Sequence, residues 1–275
     1  MNANYLYNVA YIEEAIKCKN KNMEGNNNKY LKDIDIAIRE GIKKINQTNQ
    51  QLTSIESFKM KSLYPGVLIG TGYPHETGAE NEFHLGFTFD YVTGVPYLPG
   101  SSLKGILRSA FTYGEDNKPE YIMEQMKDFF NNNKITEEKD KVEFIKNLCV
   151  CIFGESREDI NNTNESVLQK SQIIFLDSYV IKKCNKKNKY MGIDYITPHG
   201  KGKDKFKDPI PVAMIRINPE VVFEFRFIIP NDICVNNIDI DKEELLKLFK
   251  NIICDFGIGA KTNVGYGNLV EYNEN

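Results

Sequence analysis

The sequence predicts an α+β protein: an antiparallel sheet with helices on one face, a helical N-terminal extension and a lysine-rich insertion. Three observations carry this. Phe58–Leu63, Ile173–Ile181 and Val221–Ile229 alternate or run continuously apolar, as strands do. Leu103–Phe111 and Leu245–Ile253 repeat apolar residues at helical spacing. The elements follow one another as strand, helices, strands, helix, strand.

In chain order, residues 4–17 carry apolar groups at helical spacing, and Leu31, Ile34, Ile38, Ile42 and Ile45 make a stripe on a second helix over 30–46. Residues 1–57 read as this extension and 58–275 as the main domain. The first strand covers Phe58–Leu63, with Val67–Ile69 continuing it. A long polar loop spans Gly70–Glu82, and Phe83–Asp90 is strand-like. Pro96 and Pro99 lead into a helix with Ser101 or Ser102 as its N-cap. Helices follow near 118–131 and 138–152, the latter ended by Gly154. Ile173–Ile181 is a buried strand. Val212–Ile217 and Val221–Ile229 are strands joined at Asn218-Pro219. Asp241–Phe256 is a helix with capping-box spacing between Asp241 and Glu244 and a stop at Gly257. Gly265–Tyr272 closes the chain as turn and strand.

Composition narrows the function. Among 275 residues, 41% are hydrophobic and 27% charged, as in ordinary soluble globular proteins. The net charge of −3 excludes a molecule that is a polyanion binder all over. Six scattered cysteines without a C-x-x-C pair read as reduced thiols. The N-terminus lacks the pattern of a secretory signal, and no apolar run approaches a membrane span. The expected compartment is the cytoplasm.

Three segments point to a polyanion. In Pro96–Arg108, Lys104 and Arg108 share a helical face away from Leu103, Ile106 and Leu107, with Gly105 beside them. The helix start and both cations favour negative charge. The competing reading is a proline-stiffened loop with a serine cap. In Gly257–Gly267 there are four glycines, with Lys261 and Thr262 between them, and this loop suits a phosphodiester chain on which Tyr266 stacks a base. It is not a Walker A loop, since Ala260 precedes the lysine and the loop runs from helix to strand. The competing reading is a flexible reverse connection. In Lys182–Lys207, nine lysines stand against Asp194 and Asp204, so this arm is +7 within a chain of −3. Lys201, Lys203, Lys205 and Lys207 alternate, which puts them on one side of an extended chain. The competing reading is a solvated hairpin. The turn-helix and the glycine loop are expected to meet across one sheet as two walls of a single groove.

Catalytic constellations are thin. The histidines are His75, His84 and His199, and no nucleophile elbow, H-E-x-x-H motif or zinc spacing is present. His75-Glu76 offers a general acid and base for metal-independent RNA cleavage.

Together these residues resemble the RAMP superfamily of CRISPR-associated proteins. The motifs that carry the resemblance are Tyr64-Pro-Gly66, Gly70-Thr-Gly72, Gly94–Arg108, Ile152-Phe-Gly154, Phe175-Leu-Asp177, Asp194–His199, Asp208–Val212 and Gly257–Gly267. They fall in the family's order over residues 58–270. The Thr197-Pro-His199 block and the Pro-x-Pro after it resemble the sixth-subunit family of the Cmr (type III-B) antiviral effector. The resemblance implies a ferredoxin-like, RRM-type sheet. It also implies a non-catalytic, cofactor-free subunit that holds the 3′ part of the guide RNA and caps the stack of backbone subunits. Its implied partners are guide RNA, with target RNA as a further candidate, and other Cmr subunits, chiefly the repeating backbone subunit. Carried over by position, Ser101, Ser102, Lys104 and Arg108 lie in the turn-helix motif. Gly259, Lys261, Thr262, Gly265 and Tyr266 lie in the glycine loop. Lys201 and Lys203 of the basic arm complete the candidate RNA contacts. The competing functions are a metal-independent endoribonuclease using His75 or His84, and a protein-only assembly factor.

Overall fold

The computed structural model describes residues 2–19, 21–48, 55–70, 77–83, 87–114, 118–154, 169–184, 189–196 and 211–273. The chain opens with α1 (Ala3–Tyr5), a π-helical stretch (Leu6–Ala10), α2 (Tyr11–Lys17) and α3 (Glu24–Thr48). Then come β1 (Glu56–Ser62), β2 (Tyr97–Leu98), α4 (Gly100–Ser109), α5 (Glu120–Gln125), α6 (Lys127–Asn132) and α7 (Glu138–Phe153). The second half holds β3 (Ile174–Phe175), β4 (Ser178–Lys183), β5 (Met191–Ile196), β6 (Val212–Ile217), β7 (Val221–Ile228), β8 (Cys234–Val235), β9 (Ile238–Asp239), α8 (Lys242–Phe256) and β10 (Leu269–Glu271).

Among the described residues, the main sheet runs in the order β10-β1-β7-β4-β2, with β3 also paired to β7. Every pair in it is antiparallel. The centre is β7, whose sequence VVFEFRFI alternates from Phe223 onward, with Val222 buried as well. Val221, Phe223, Phe225 and Phe227 are buried, and Glu224 and Arg226 turn to the other face. Phe58 of β1 stacks on Phe225 and Phe227 at 5.5 Å, and Phe227 meets Phe249 of α8 at 5.2 Å. Each such aromatic contact contributes about 1 kcal/mol beyond its buried area. Helix α8 forms because Leu245, Leu248, Phe249, Ile252 and Ile253 make one apolar stripe, which packs on β1 and β10. Helices α4 and α7 join it on that side, where Phe153 stacks on Phe175.

The front helices share this core. Ile34, Ala37, Ile38, Ile42 and Ile45 of α3 are buried with it. Gly41 lets α3 approach closely, since a Cβ there would collide with the Thr93 carbonyl oxygen. Asp35 of α3 accepts the amides of Tyr190 (2.7 Å) and Met191 (3.0 Å) and so fastens the start of β5. Strands β5 and β6 form a hairpin of their own, tied to the rest where Val67 bridges Ile217.

Several expectations change. Val67–Ile69 does not extend β1; the chain leaves the sheet, and only Val67 bridges, to Ile217. Among the described residues of Phe83–Asp90, Phe83 and Phe89 make single bridges and no strand. Ile173–Ile181 divides into β3 and β4, because Leu176 and Asp177 break the pairing between them. The described part of the lysine-rich insertion is largely strand, ending β4 and forming β5. Asp241 does stand at the α8 N-cap and Gly257 (φ +71) at its end, but no side-chain cap bond forms, so the capping box is absent.

Candidate nucleic-acid interface

The glycine loop leaves α8 and returns as β10, pressed against the turn that follows β1. The Ala260 amide donates to the Leu68 carbonyl (2.8 Å), the Gly267 amide to Gly66 (2.8 Å) and the Ile258 amide to Gly267 (2.9 Å). Val264 and Gly265 amides close a short 3-10 turn over Thr262–Val264. These five amides are therefore spent within the fold and are not offered to a phosphodiester chain. The glycines are what this packing requires. A Cβ on Gly259 (φ +79) would collide with the Leu68 carbonyl, and one on Gly267 with that of Ile258. Gly265 has open space around it, apart from Pro65 at 3.8 Å, and is demanded by its φ of +95.

What the loop presents outward is side chains. Lys261 is exposed and left-handed (φ +60, ψ +35), a conformation that costs a non-glycine residue about 1 kcal/mol. Thr262 is half-buried, and Val264 is 70% exposed. Tyr64, at the head of the turn beneath the loop, is 81% exposed. Tyr64 is not among the site residues expected from the sequence; its place beside Gly66 and Gly70-Thr-Gly72 is the signal that points to it.

Tyr266 is held in place. Its hydroxyl donates to Asp194 Oδ2 on β5 at 2.6 Å. The same oxygen lies 3.2 Å from Arg216 Nε on β6. Arg216 Nη1 then donates to the Pro65 carbonyl (2.6 Å) and to Asn218 Oδ1 (3.1 Å). Burial, and next the Asp194 hydrogen bond, raise the Tyr266 hydroxyl well above the ordinary tyrosine value. The chain Tyr266–Asp194–Arg216–Pro65 thus locks the glycine loop, the turn under it and the base of hairpin β5–β6 into one unit. Past the described ends of that hairpin, residues 197–210 lie outside the described residues, and with them Lys201 and Lys203.

The turn-helix is built differently from its sequence expectation. Pro99 is the N-cap residue, and Ser101 and Ser102 sit exposed in the first turn. The cap comes from across the fold: the Gly100 amide donates to Asp177 Oδ1 at 2.8 Å. A carboxylate of the protein therefore already meets the positive start of α4. Leu103 and Leu107 are buried, as the apolar stripe requires. Lys104 lies over the Phe175 ring at 6.0 Å, and Arg108 is half-buried. Nothing lies within 4 Å of a Cβ built on Gly105, which leaves a bare patch of backbone on the exposed side of α4.

Strand register places the serine start of α4 apart from the glycine loop. The loop attaches beside the end of β1, where Lys61 pairs with Val222 and Ser62 with Leu269. The start of α4 attaches beside Phe175, which pairs with Phe227. Five residues along β7 and two strand spacings put Ser101 and Ser102 on the order of 20 Å from the loop. The serine turn and the glycine loop are two places on the surface, because the long insertion after β1 delivers α4 to the other end of the sheet.

His75, His84 and His199 lie outside the described residues. Among the described residues, no cluster of three or more His, Cys, Asp or Glu side chains is arranged to hold a metal ion. No helix among them is long and apolar enough to cross a membrane.

A family model described as the RAMP superfamily matches residues 59–270. The CRISPR system Cmr subunit Cmr6 of Pyrococcus furiosus is 25% identical over 213 residues, covering 65% of this chain and 59% of that protein. The chain therefore spans less than two thirds of the length of that relative. A chain in the cryo-EM structure of the Type III-B Cmr-beta bound to cognate target RNA superposes with a TM-score of 0.52 at 21% identity. That match covers 86% of this chain and 65% of the other, and shows a common fold. The crystal structure of Cmr6 from Pyrococcus furiosus aligns over 81% of this chain and 100% of its own, with a TM-score of 0.42 and 22% identity.

Proposed function

Because the chain belongs to the RAMP superfamily, we propose that it is a non-catalytic RNA-binding subunit of a type III-B CRISPR (Cmr) effector complex. In this reading it holds the 3′ part of the guide RNA and caps the filament of backbone subunits. The observation that carries it is Lys261: an exposed cation held in a left-handed conformation on a loop that is packed and locked from beneath. Strain kept at a surface cation by a rigid support is what a preformed phosphate contact needs. The likeness to the Cmr6 protein of Pyrococcus furiosus supports the complex. The fold shared with a chain of a Cmr-beta assembly bound to target RNA supports RNA and the other Cmr subunits as partners.

The sheet order and its antiparallel pairs support a ferredoxin-like, RRM-type reading of β1, β4, β7 and β10 with α8 between the last two. The family match over 59–270 supports a main domain over 58–275 with residues 1–57 as a helical extension. The lysine-rich 182–207 arm, whose described part ends β4 and forms β5, is then an insertion in that domain.

The test is incubation of the purified chain with guide-derived RNA in chelator. The expected result is salt-sensitive binding with the RNA left intact. Absence of binding overturns the RNA role. Cleavage that disappears in His75→Ala or His84→Ala replaces this reading with an endoribonuclease.

A further inference from the structure

The face of the main sheet turned away from α8 carries aromatic and cationic side chains that the proposed function does not use. Alternation along each strand fixes it. Phe58 and Met60, Phe223 and Phe225, Val180, and Leu98 point into the core. Between them, Lys59 and Lys61 of β1, Glu224 and Arg226 of β7, Tyr179 of β4 and Tyr97 of β2 point the other way. The register confirms the rows: Lys59 pairs with Glu224 and Glu224 with Tyr179, while Lys61 pairs with Val222 and Val222 with Lys182. Tyr272 completes the face just past β10, where its amide donates to the Lys59 carbonyl at 3.0 Å.

On this face each of two tyrosines is matched to a cation. The Arg226 guanidinium lies 4.8 Å over the ring of Tyr179, and Tyr97 stacks beside that ring at 5.8 Å. Lys182 Nζ lies 5.5 Å from the Tyr272 ring centre and donates to its hydroxyl at 3.0 Å. Tyr179 stands on β4 and Tyr272 at β10, three strand intervals or about 14 Å apart. Lys59, Lys61, Lys182 and Arg226 share the face with one described carboxylate, Glu224; Asp90 and Asp177 stand at the β2 edge, where Asp90 Oδ2 is 3.5 Å from the Tyr179 hydroxyl. Arg226 Nε and Nη2 also donate to the Asp177 carbonyl at 3.3 and 3.1 Å, so the positive excess of the face lies chiefly at Lys59, Lys61 and Lys182. An acidic, ring-bearing ligand matches it, because bases stack on any aromatic ring while phosphates meet the adjoining cations.

We propose that this sheet face is a second RNA site, taking unstacked bases of a single strand on Tyr179 and Tyr272 and their phosphates on Arg226, Lys59 and Lys182. It rests on the reading of the chain as an RNA-binding subunit and adds to it a place where bases are held without regard to sequence.

The test uses the full chain, a fluorescent oligo(U) probe and the same probe carrying 4-thiouridine for photocrosslinking. Tyr272→Ala weakens binding about fivefold or more, whereas Tyr272→Phe, which keeps the ring, stays near wild type. Crosslinked peptides include β4 or the segment around Tyr272. The inference is overturned if Tyr272→Ala binds within about twofold of wild type and no adduct falls on this face. If Lys261→Ala still weakens binding in that case, the proposed function stands without the second site; if wild type binds no RNA, both fall. A Tyr272→Ala variant that binds RNA normally but no longer co-purifies with other complex subunits also overturns it, marking the face as a protein interface.

Discussion

The Tyr266 hydroxyl donates a 2.6 Å hydrogen bond to Oδ2 of Asp194, joining a loop after α8 to a hairpin 72 residues earlier in the chain. This contact converts three chain segments into one support, since Arg216 carries it on to the Pro65 carbonyl. A hydrogen bond to a partly exposed carboxylate contributes about 1 kcal/mol. Tyr266→Phe is therefore expected to lower unfolding stability by about that amount, measured by chemical denaturation.

The pH dependence of the same pair has a fixed sign. The hydroxyl is raised above 10.0 by burial and by Asp194. A raised folded-state value means that the tyrosine's contribution is fully present below its unfolded value and is lost only as pH climbs through the folded one. The stability gap between wild type and Tyr266→Phe is thus expected to persist through mildly alkaline solution and to close only in stronger base. A gap that closes before ordinary tyrosines ionise contradicts the assignment.

Lys261 separates backbone strain from binding. Lys261→Gly removes the left-handed penalty and is expected to leave the fold as stable or up to about 1 kcal/mol more stable. Lys261→Ala keeps the penalty. Both variants are expected to weaken RNA binding and to reduce the slope of log affinity against log salt by about one, read from a salt titration of anisotropy.

Gly105 makes the opposite pairing. An exposed glycine inside a helix costs about 1 kcal/mol relative to alanine, and no described residue outside the helix backbone lies within 4 Å of a Cβ placed there. Gly105→Ala is expected to raise the melting temperature of the isolated chain. If RNA or a neighbouring subunit approaches the bare backbone of α4, the same variant weakens assembly of the complex, measured by co-purification.

Asp177 caps α4 from a distance. Asp177→Ala is expected to cost about 1 kcal/mol through the lost Gly100 amide bond. Ser102→Ala, at an exposed first-turn position, is expected to cost little.

Much of this architecture was legible in the sequence, for physical reasons. The period-two burial of β7, the apolar stripes of α4 and α8, and the left-handed glycines at Gly154 and Gly257 follow from local rules. What stayed hidden was set by long-range geometry. No local pattern shows that Asp177, and not a serine, caps α4, or that Tyr266 reaches Asp194. The glycine loop read as an anion cradle because its composition is the same whether its amides face a ligand or the Leu68 and Gly66 carbonyls. The placement of the serine turn away from that loop depended on strand pairing between segments far apart in the chain, Lys61 with Val222 and Phe175 with Phe227. The tyrosine–cation face was missed because Tyr97, Tyr179 and Tyr272 come from separate segments that only the sheet brings together.

The most direct measurement of the central claim is photocrosslinking of the reconstituted complex through guide RNA labelled along its 3′ part, followed by mapping of adducts on this chain. The account predicts adducts within Gly257–Gly267 or at Tyr64, reduced in Lys261→Ala while the complex remains assembled. Adducts confined to other subunits, with guide retention unchanged in Lys261→Ala, would contradict it.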